Sequence, residues 1–566
     1  MTTAVRERTR NRMSQVALCL AGAVVVITIV AAWRTGAHRL PYSDDWAYLR
    51  MQDTLDRTGH IVGVGWNDVS LVGQLQLARV VDLFLDDSVL ASRLVVIAAG
   101  LACSALIWWL VSRSRRPDLR GLAVLSFVVF PSMVDVLVTS MTDLPATALM
   151  LGCLAAGLAA CDGEGADRRI RTGPLIAAVA LGVAAITVRQ TATAAPLAVV
   201  GVLLAMPQRP ASRRRVLIVG AAGAALALAF LAWRSGIDRS APIESLQVVR
   251  STAVIVRAWS LLALGLLPLV LASGALGRWF RTRSDPALPS TVRGLLTLAP
   301  AAWLLVGLAV GWNQPVVPPV LVREGPVGAS SLATLSSAQS GLIWHLVSVS
   351  VALCGAALVA VVLRAVVVAV HRDGVRGSVQ RTLDEPWVAM PSAFVIVSFA
   401  VIAASSYLQH VIQDRYLLPM LGAGMILLCV TPRPETAAAH GQRRLEVAGM
   451  AVACVLAIAA IWSVMDWDAY QAARFRGAGV AMAHGVPIGN IDAGFEYIGI
   501  HGARAAPRSL EADESYLDAF PDFRQCALVT ADATAPPGMT EIGTVPYKAG
   551  FGLLTRMVHV YARDGC

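Results

Sequence analysis

Two adjacent carboxylates, Asp44 and Asp45, stand in the run Ser43-Asp44-Asp45-Trp46-Ala47, just beyond the first apolar segment of the chain. Like charges held side by side raise each other's pKa. An otherwise greasy chain that keeps such a pair at a membrane surface is equipped for base catalysis or cation binding. The plain alternative is a helix N-cap, where Ser and Asp are favoured. Three further polar groups break the apolar sequence: Asp143 in Thr142-Asp143-Leu144-Pro145, the pair Arg189-Gln190, and His410 with Asp414, Arg415 and Tyr416. Ionisable groups at membrane depth are functional candidates by default. Each has a local alternative: a cap on the following helix for Asp143, snorkelling for Arg189, and a neighbour ion pair for Asp414 and Arg415.

The elements that must position these groups are membrane helices. The chain has 566 residues, 56% of them hydrophobic and 15% charged, where soluble domains carry about 25% charge. Mean hydropathy is +0.63. Apolar runs near 14–33, 89–111, 119–137, 144–161, 173–188, 190–207, 215–233, 251–276, 293–312, 341–370, 388–408, 416–431 and 446–465 predict about thirteen transmembrane helices. The first is read as a retained helix and not a cleaved signal, because no small-residue cleavage site follows it. The expected fold is all-α and polytopic, with 1–465 as the membrane core and a small external α/β domain over 466–566. Short β-like runs at Cys526–Thr530 and Gly552–Tyr561 mark that domain.

The net charge of +10 includes a single lysine, Lys548. Arginines collect in alternate loops, at 113–116, 168–171, 213–215, 278–283, 372–381 and 443–444. That is the pattern of topology signals. It argues against nucleic-acid binding and predicts a multi-pass plasma-membrane protein with a cytoplasmic N-terminus and an external C-terminus. Asp44, Asp45, Asp143, Arg189, Gln190, His410, Asp414, Arg415 and Tyr416 then share the external face. The first external loop, 34–88, is expected to hold short helices along the interface, including an amphipathic stretch from Val69 to Leu85. A second loop, 313–340, is rich in Pro, Gly and Ser. Of nine cysteines, only Cys526 and Cys566 lie in the polar tail. An external tail makes them a disulfide candidate.

Tyr42-Ser43-Asp44-Asp45-Trp46, Thr142-Asp143-Leu144-Pro145, Val188-Arg189-Gln190-Thr191 and Asp414-Arg415-Tyr416-Leu417-Leu418-Pro419 together resemble the GT-C superfamily of membrane glycosyltransferases. The similarity is to the protein O-mannosyltransferase and aminoarabinose-transferase group and to actinobacterial arabinofuranosyltransferases, over about residues 14–431. In the tail, Ile491-Asp492-Ala493-Gly494-Phe495-Glu496-Tyr497 is similar to a segment after the last helix in some relatives. The resemblance implies an inverting transfer of a sugar from a polyprenyl-phosphate donor to an envelope glycan, lipid or protein. Asp44 or Asp45 would be the general base, with the choice left open. Arg415, Arg189 and Tyr416 would hold the donor phosphate, and Asp143, Gln190 and His410 would position substrate. A divalent cation (Mg²⁺, Mn²⁺ or Ca²⁺), held by Asp44 and Asp143, is a candidate cofactor. The arginine-rich composition fits a GC-rich bacterium such as an actinobacterium. Trp467, Tyr470, Phe475, Phe495 and Tyr497 would either stack on sugar rings or form the tail's own core. The rival readings are a secondary transporter and a non-catalytic envelope-assembly protein. No paired halves with broken helices favour the transporter.

Overall fold

The computed structural model describes residues 3–42, 44–63, 71–236, 248–286, 288–311, 337–409, 413–431, 439–502, 517, 520 and 522–566. Ser43, His410 and most of the Pro/Gly/Ser-rich loop lie outside them.

The chain is a helical bundle with a small sheet at one end. Its helices are α1 (Thr3–Thr35), α2 (Asp45–Thr58), α3 (Val72–Leu85), α4 (Ser88–Ser112), α5 (Arg120–Val128), α6 (Pro131–Val136), α7 (Asp143–Ala160), α8 (Thr172–Val188) and α9 (Ala194–Ala205), followed by α10 (Pro210–Arg234), α11 (Val248–Ala272), α12 (Ala275–Arg283), α13 (Ser290–Gly311), α14 (Ser337–Asp384), α15 (Pro386–Gln409), α16 (Leu418–Val430), α17 (Ala439–Ala483) and α18 (Phe495–His501). Among the described residues, nine helices are long and apolar enough to cross a membrane, which makes this a multi-pass membrane protein. The other four expected spans are also helical but shorter: α8, α9, α16 and the pair α5–α6. The count of thirteen full-length spans is therefore not reproduced. The 119–137 segment breaks because Phe130 precedes Pro131 and is extended, at φ −63° and ψ 126°. A residue before proline is pushed out of the helical region, and Pro131 then starts a new helix.

The arginine-rich loops gather at one end. Arg115 pairs with Glu385, Arg116 lies 3.6 Å from Glu446, and Arg168 donates to the carbonyls of Leu383 and Asp384. The opposite end carries α2, α3 and the sheet. There α17 does not stop where its apolar run ends near residue 465. It continues to Ala483, and its 45 residues span on the order of 70 Å, about twice a bilayer's hydrocarbon core. Ala469, Ala473, Ala478 and Ala481 on the extension are buried with Val529, Val545, Val558 and Val560. A short antiparallel pair, β1 (Cys161–Asp162) and β2 (Arg169–Ile170), links α7 to α8, and the four-stranded sheet is formed by β3 (Ile491–Asp492), β4 (Ala527–Thr530), β5 (Met539–Ala549) and β6 (Leu554–Arg563), in the order β3-β4-β6-β5. Its β3–β4 pair is parallel and the rest antiparallel. A Cys526–Cys566 disulfide closes it, with 5.5 Å between Cα atoms.

The first loop is sandwiched between the bundle and this sheet domain. Helix α3 keeps an exposed apolar side at Leu77, Val80, Leu83 and Phe84, which matches the amphipathic expectation. Helix α2 is mostly buried. Trp46 is fully buried against Phe495 and Phe520. Its ring also covers Gly499, where any Cβ would overlap the indole.

Candidate active site

Four ionic side chains, three buried and one partly exposed, meet at the sheet end of the bundle. Asp44 occupies the N-cap position of α2, yet its side chain makes no capping bond. Its Oδ2 instead accepts from Arg415 Nη2 at 2.7 Å. Asp143 opens α7. Its Oδ1 accepts from Arg189 Nη1 at 2.6 Å, and its Oδ2 lies 3.3 Å from Arg415 Nε. Arg189 also donates to Thr142 Oγ1 at 3.0 Å. The order in space is Asp44–Arg415–Asp143–Arg189, two negative and two positive charges.

Each local alternative yields to this longer-range arrangement. Asp414 and Arg415 do not pair through their side chains. Asp414 Oδ1 accepts the Arg415 backbone N–H at 2.7 Å, which frees the guanidinium to bridge Asp44 and Asp143. Arg189 is buried and does not snorkel outward. Its extended backbone at the α8–α9 turn (φ −153°, ψ 128°) turns the side chain inward. Its guanidinium lies 4.1 Å from the Tyr416 ring centroid, a cation–π contact.

The two members of the acidic pair are placed differently. Asp45 is fully buried and salt-bridged to buried Arg93 at 2.5 Å. It also accepts from the backbone N–H groups of Tyr42 and Ser140. Burial pushes its carboxyl up from the ordinary range, while Arg93 and the two amides pull it back. Asp45 thus ties the start of α2 to α4 and to the loop before α7. Asp44 retains 18% side-chain exposure, the most of the four ionic groups.

A narrow pocket opens beside Arg415 and Arg189. It is lined by Asp143, Thr147 and Met150 from α7, by Thr191, by Ser398 and Ile402 from α15, and by Tyr416 and Pro419. One end is cationic and the wall behind is largely apolar. Arg415, only 3% exposed, leaves Nη1 without a hydrogen-bond partner in this setting. The Thr147 and Ser398 hydroxyls in the wall are likewise unpartnered.

Asp44 and Asp143, expected as the holders of any divalent cation, share the Arg415 guanidinium, so the positive charge between them comes from the chain itself. Among the described residues no cluster of three or more His, Cys, Asp or Glu side chains suits a metal ion. Gln190 is half-buried and opens the single turn Gln190–Thr193. His410 lies outside the described residues. Tyr470 and Tyr497 belong to the sheet domain's core, with Trp467 and Phe475 packed on it; Phe495 packs on Trp46. Core packing is what these five rings do.

Sequence reasoning missed Tyr48, Arg93 and Asp135. Tyr48 is buried within electrostatic reach of Asp44, Arg415, Arg189 and Asp143. Burial, reinforced by Asp44, pushes its phenol well up. The signal was available: Tyr48 lies four residues after Asp44, on the same helix face. Arg93 and Asp135 had no such signal, since each finds its partner, Asp45 or Tyr42, from a distant segment.

Residues 68–233 match the family model of dolichyl-phosphate-mannose-protein mannosyltransferases. The matched segment contains Asp143 and Arg189 and ends before Arg415. The match covers less than a third of the chain. No curated protein sequence matches the chain. Two solved structures are similar. ArnT from Cupriavidus metallidurans bound to undecaprenyl phosphate aligns with 14% identity, 96% of this chain, 98% of that chain and a TM-score of 0.41. The apo state of the same protein gives 15%, 95%, 98% and 0.40.

Proposed function

We propose that the chain transfers a sugar from a polyprenyl-phosphate donor to a hydroxyl acceptor of the cell envelope, with inversion, at the Asp44–Arg415–Asp143–Arg189 site. The observation that carries this reading is the pairing of two buried arginines with a carboxylate of partial exposure, at the mouth of an apolar inter-helix pocket. A lipid phosphate needs both features: a cationic seat for its head and a greasy path for its chain. Arginine suits the head because it stays charged and offers forked donors. Arg415 Nη1 is the free donor, and Arg189, braced by Tyr416, stands next to it. The family matched at 68–233 is named for a sugar on a lipid phosphate.

Asp44 is the base in this mechanism and Asp45 the residue that positions it. A sugar hydroxyl is a weak nucleophile at neutral pH, so a placed base lowers the barrier. Asp44 takes the acceptor proton as the oxygen attacks the anomeric carbon. The bond to the phosphate oxygen breaks, and the lipid phosphate leaves as an anion paired with Arg415. Donor binding also draws Arg415 toward phosphate, which loosens its hold on Asp44 at the step where Asp44 must accept a proton. Asp143 keeps both guanidinium groups oriented. Alternate-loop arginine supports an external position for this site, with the arginine-rich end in the cytoplasm.

The test is retention of polyprenyl phosphate by the purified protein, read by native mass spectrometry. The wild type retains the lipid and Arg415→Ala does not. Equal retention by both would remove Arg415 from the donor site.

A further inference from the structure

The β5–β6 hairpin ends in an apolar tip that the catalytic site does not use. Its turn, Gly550-Phe551-Gly552-Leu553, is closed by Gly552 N–H to Ala549 O and Leu553 N–H to Gly550 O. Phe551 has φ +57°, the region that glycine favours, between Gly550 at +59° and Gly552 at +83°. A bulky residue rarely accepts that conformation. Here it turns Phe551 onto helix α17, its ring 6.2 Å from that of Trp462. Leu553 is 84% exposed, and Leu554 and Met557 are exposed beside it. So prominent an apolar tip on a folded domain marks a contact surface.

Helix α17 shows what the tip faces. Val455 and Ile458 are exposed on its apolar span. With Trp462 they follow the spacing i, i+3, i+7, so they form one stripe. On a membrane-crossing helix an exposed apolar stripe faces lipid. Trp462 lies at the end of the apolar run, where tryptophan marks the membrane interface. The tip is clamped to this level by one carboxylate. Asp466, buried, accepts from Trp462 Nε1 at 2.9 Å and from the Gly550 backbone N–H at 2.7 Å. Phe551 therefore prolongs the lipid-facing stripe of α17 sideways. Exposed Lys548, the chain's only lysine, donates to Thr555 Oγ1 at 2.8 Å across the hairpin just behind the tip. A cation above an apolar tip is the arrangement that suits a membrane surface.

We infer that the tip Phe551–Leu554 inserts into the bilayer leaflet on the sheet side, and that it seats the C-terminal domain on the membrane beside the active site. The occupant of this surface is lipid. The inference rests on the membrane placement of α17 and not on the glycosyltransferase reading.

Leu553→Cys is made in the full-length chain with Cys19, Cys161 and Cys454 changed to Ser, then labelled with bimane and reconstituted in phosphatidylethanolamine–phosphatidylglycerol vesicles. Glu541→Cys, at the far end of the hairpin, is labelled in parallel, and Leu554→Cys provides a second tip position should Leu553→Cys misfold. The tip label is quenched by nitroxide lipids and shielded from iodide, and the Glu541 label shows the reverse. Iodide quenching of both labels alike would overturn the inference. So would a tip label that neither quencher reaches, which would mean a protein partner or a second copy covers it.

Discussion

At the residue scale, Asp44 and Asp45 are neighbours with separate tasks. Asp45→Asn leaves buried Arg93 without its countercharge, and breaking a buried pair in this way costs about 3–5 kcal/mol. The expected outcome is a marked fall in thermal unfolding temperature, followed by tryptophan fluorescence in detergent. Asp44→Asn leaves that temperature nearly unchanged and lowers kcat by roughly 10²–10⁴, the range of a lost general base. Similar unfolding temperatures for the two variants would break the distinction. Arg415→Lys keeps the charge and loses the fork. Charge-assisted hydrogen bonds are worth about 1.5–3 kcal/mol each, so the donor KM rises by on the order of tenfold or more; an unchanged KM would show that a point charge suffices. The polar positions of this site were legible in the sequence because they interrupt apolar runs. Their partnerships were not: Asp44 meets Arg415 across 371 residues, and no local spacing reports such a contact.

At the element scale, the site depends on how α2 is held. Trp46 lies on Gly499 of α18, so the sheet domain presses on the helix that presents Asp44. Gly499→Ala introduces a methyl group into the indole, and overpacking of this kind costs about 1–3 kcal/mol. Lower thermal stability together with lower kcat is expected; reduced stability with kcat intact would mean that α2 and the sheet domain are not coupled. Hydropathy located the apolar helices of the bundle, since apolar runs of this length have few alternatives in lipid, but not the more polar α2 and α12. Two of the boundaries it misjudged have plain physical reasons. The Phe130-Pro131 step cuts an apolar run without making it polar. The end of the apolar run in α17 marks the edge of the lipid and not the end of the helix, which alanines carry on to Ala483 against the sheet.

At the scale of the whole molecule, the account needs an asymmetric protein, with arginine-rich loops at one end and the ionic site, α2, α3 and the sheet at the other. Thr58→Cys, exposed at the end of α2, placed in a chain lacking other accessible thiols, is expected to react with a membrane-impermeant thiol reagent in intact cells. Labelling only after lysis would reverse the topology and the mechanism with it. Composition foretold the membrane and a small C-terminal domain with strands, but not that the tail's helix and hairpin return to α17 and α2. The measurement that tests the central claim most directly is sugar transfer by purified protein in lipid vesicles, from a panel of radiolabelled polyprenyl-phosphate sugars to an envelope glycan extract. The account predicts transfer from at least one donor by the wild type, and its loss in Asp44→Asn with donor binding retained. Transfer undiminished in Asp44→Asn, or none from any donor, would contradict it.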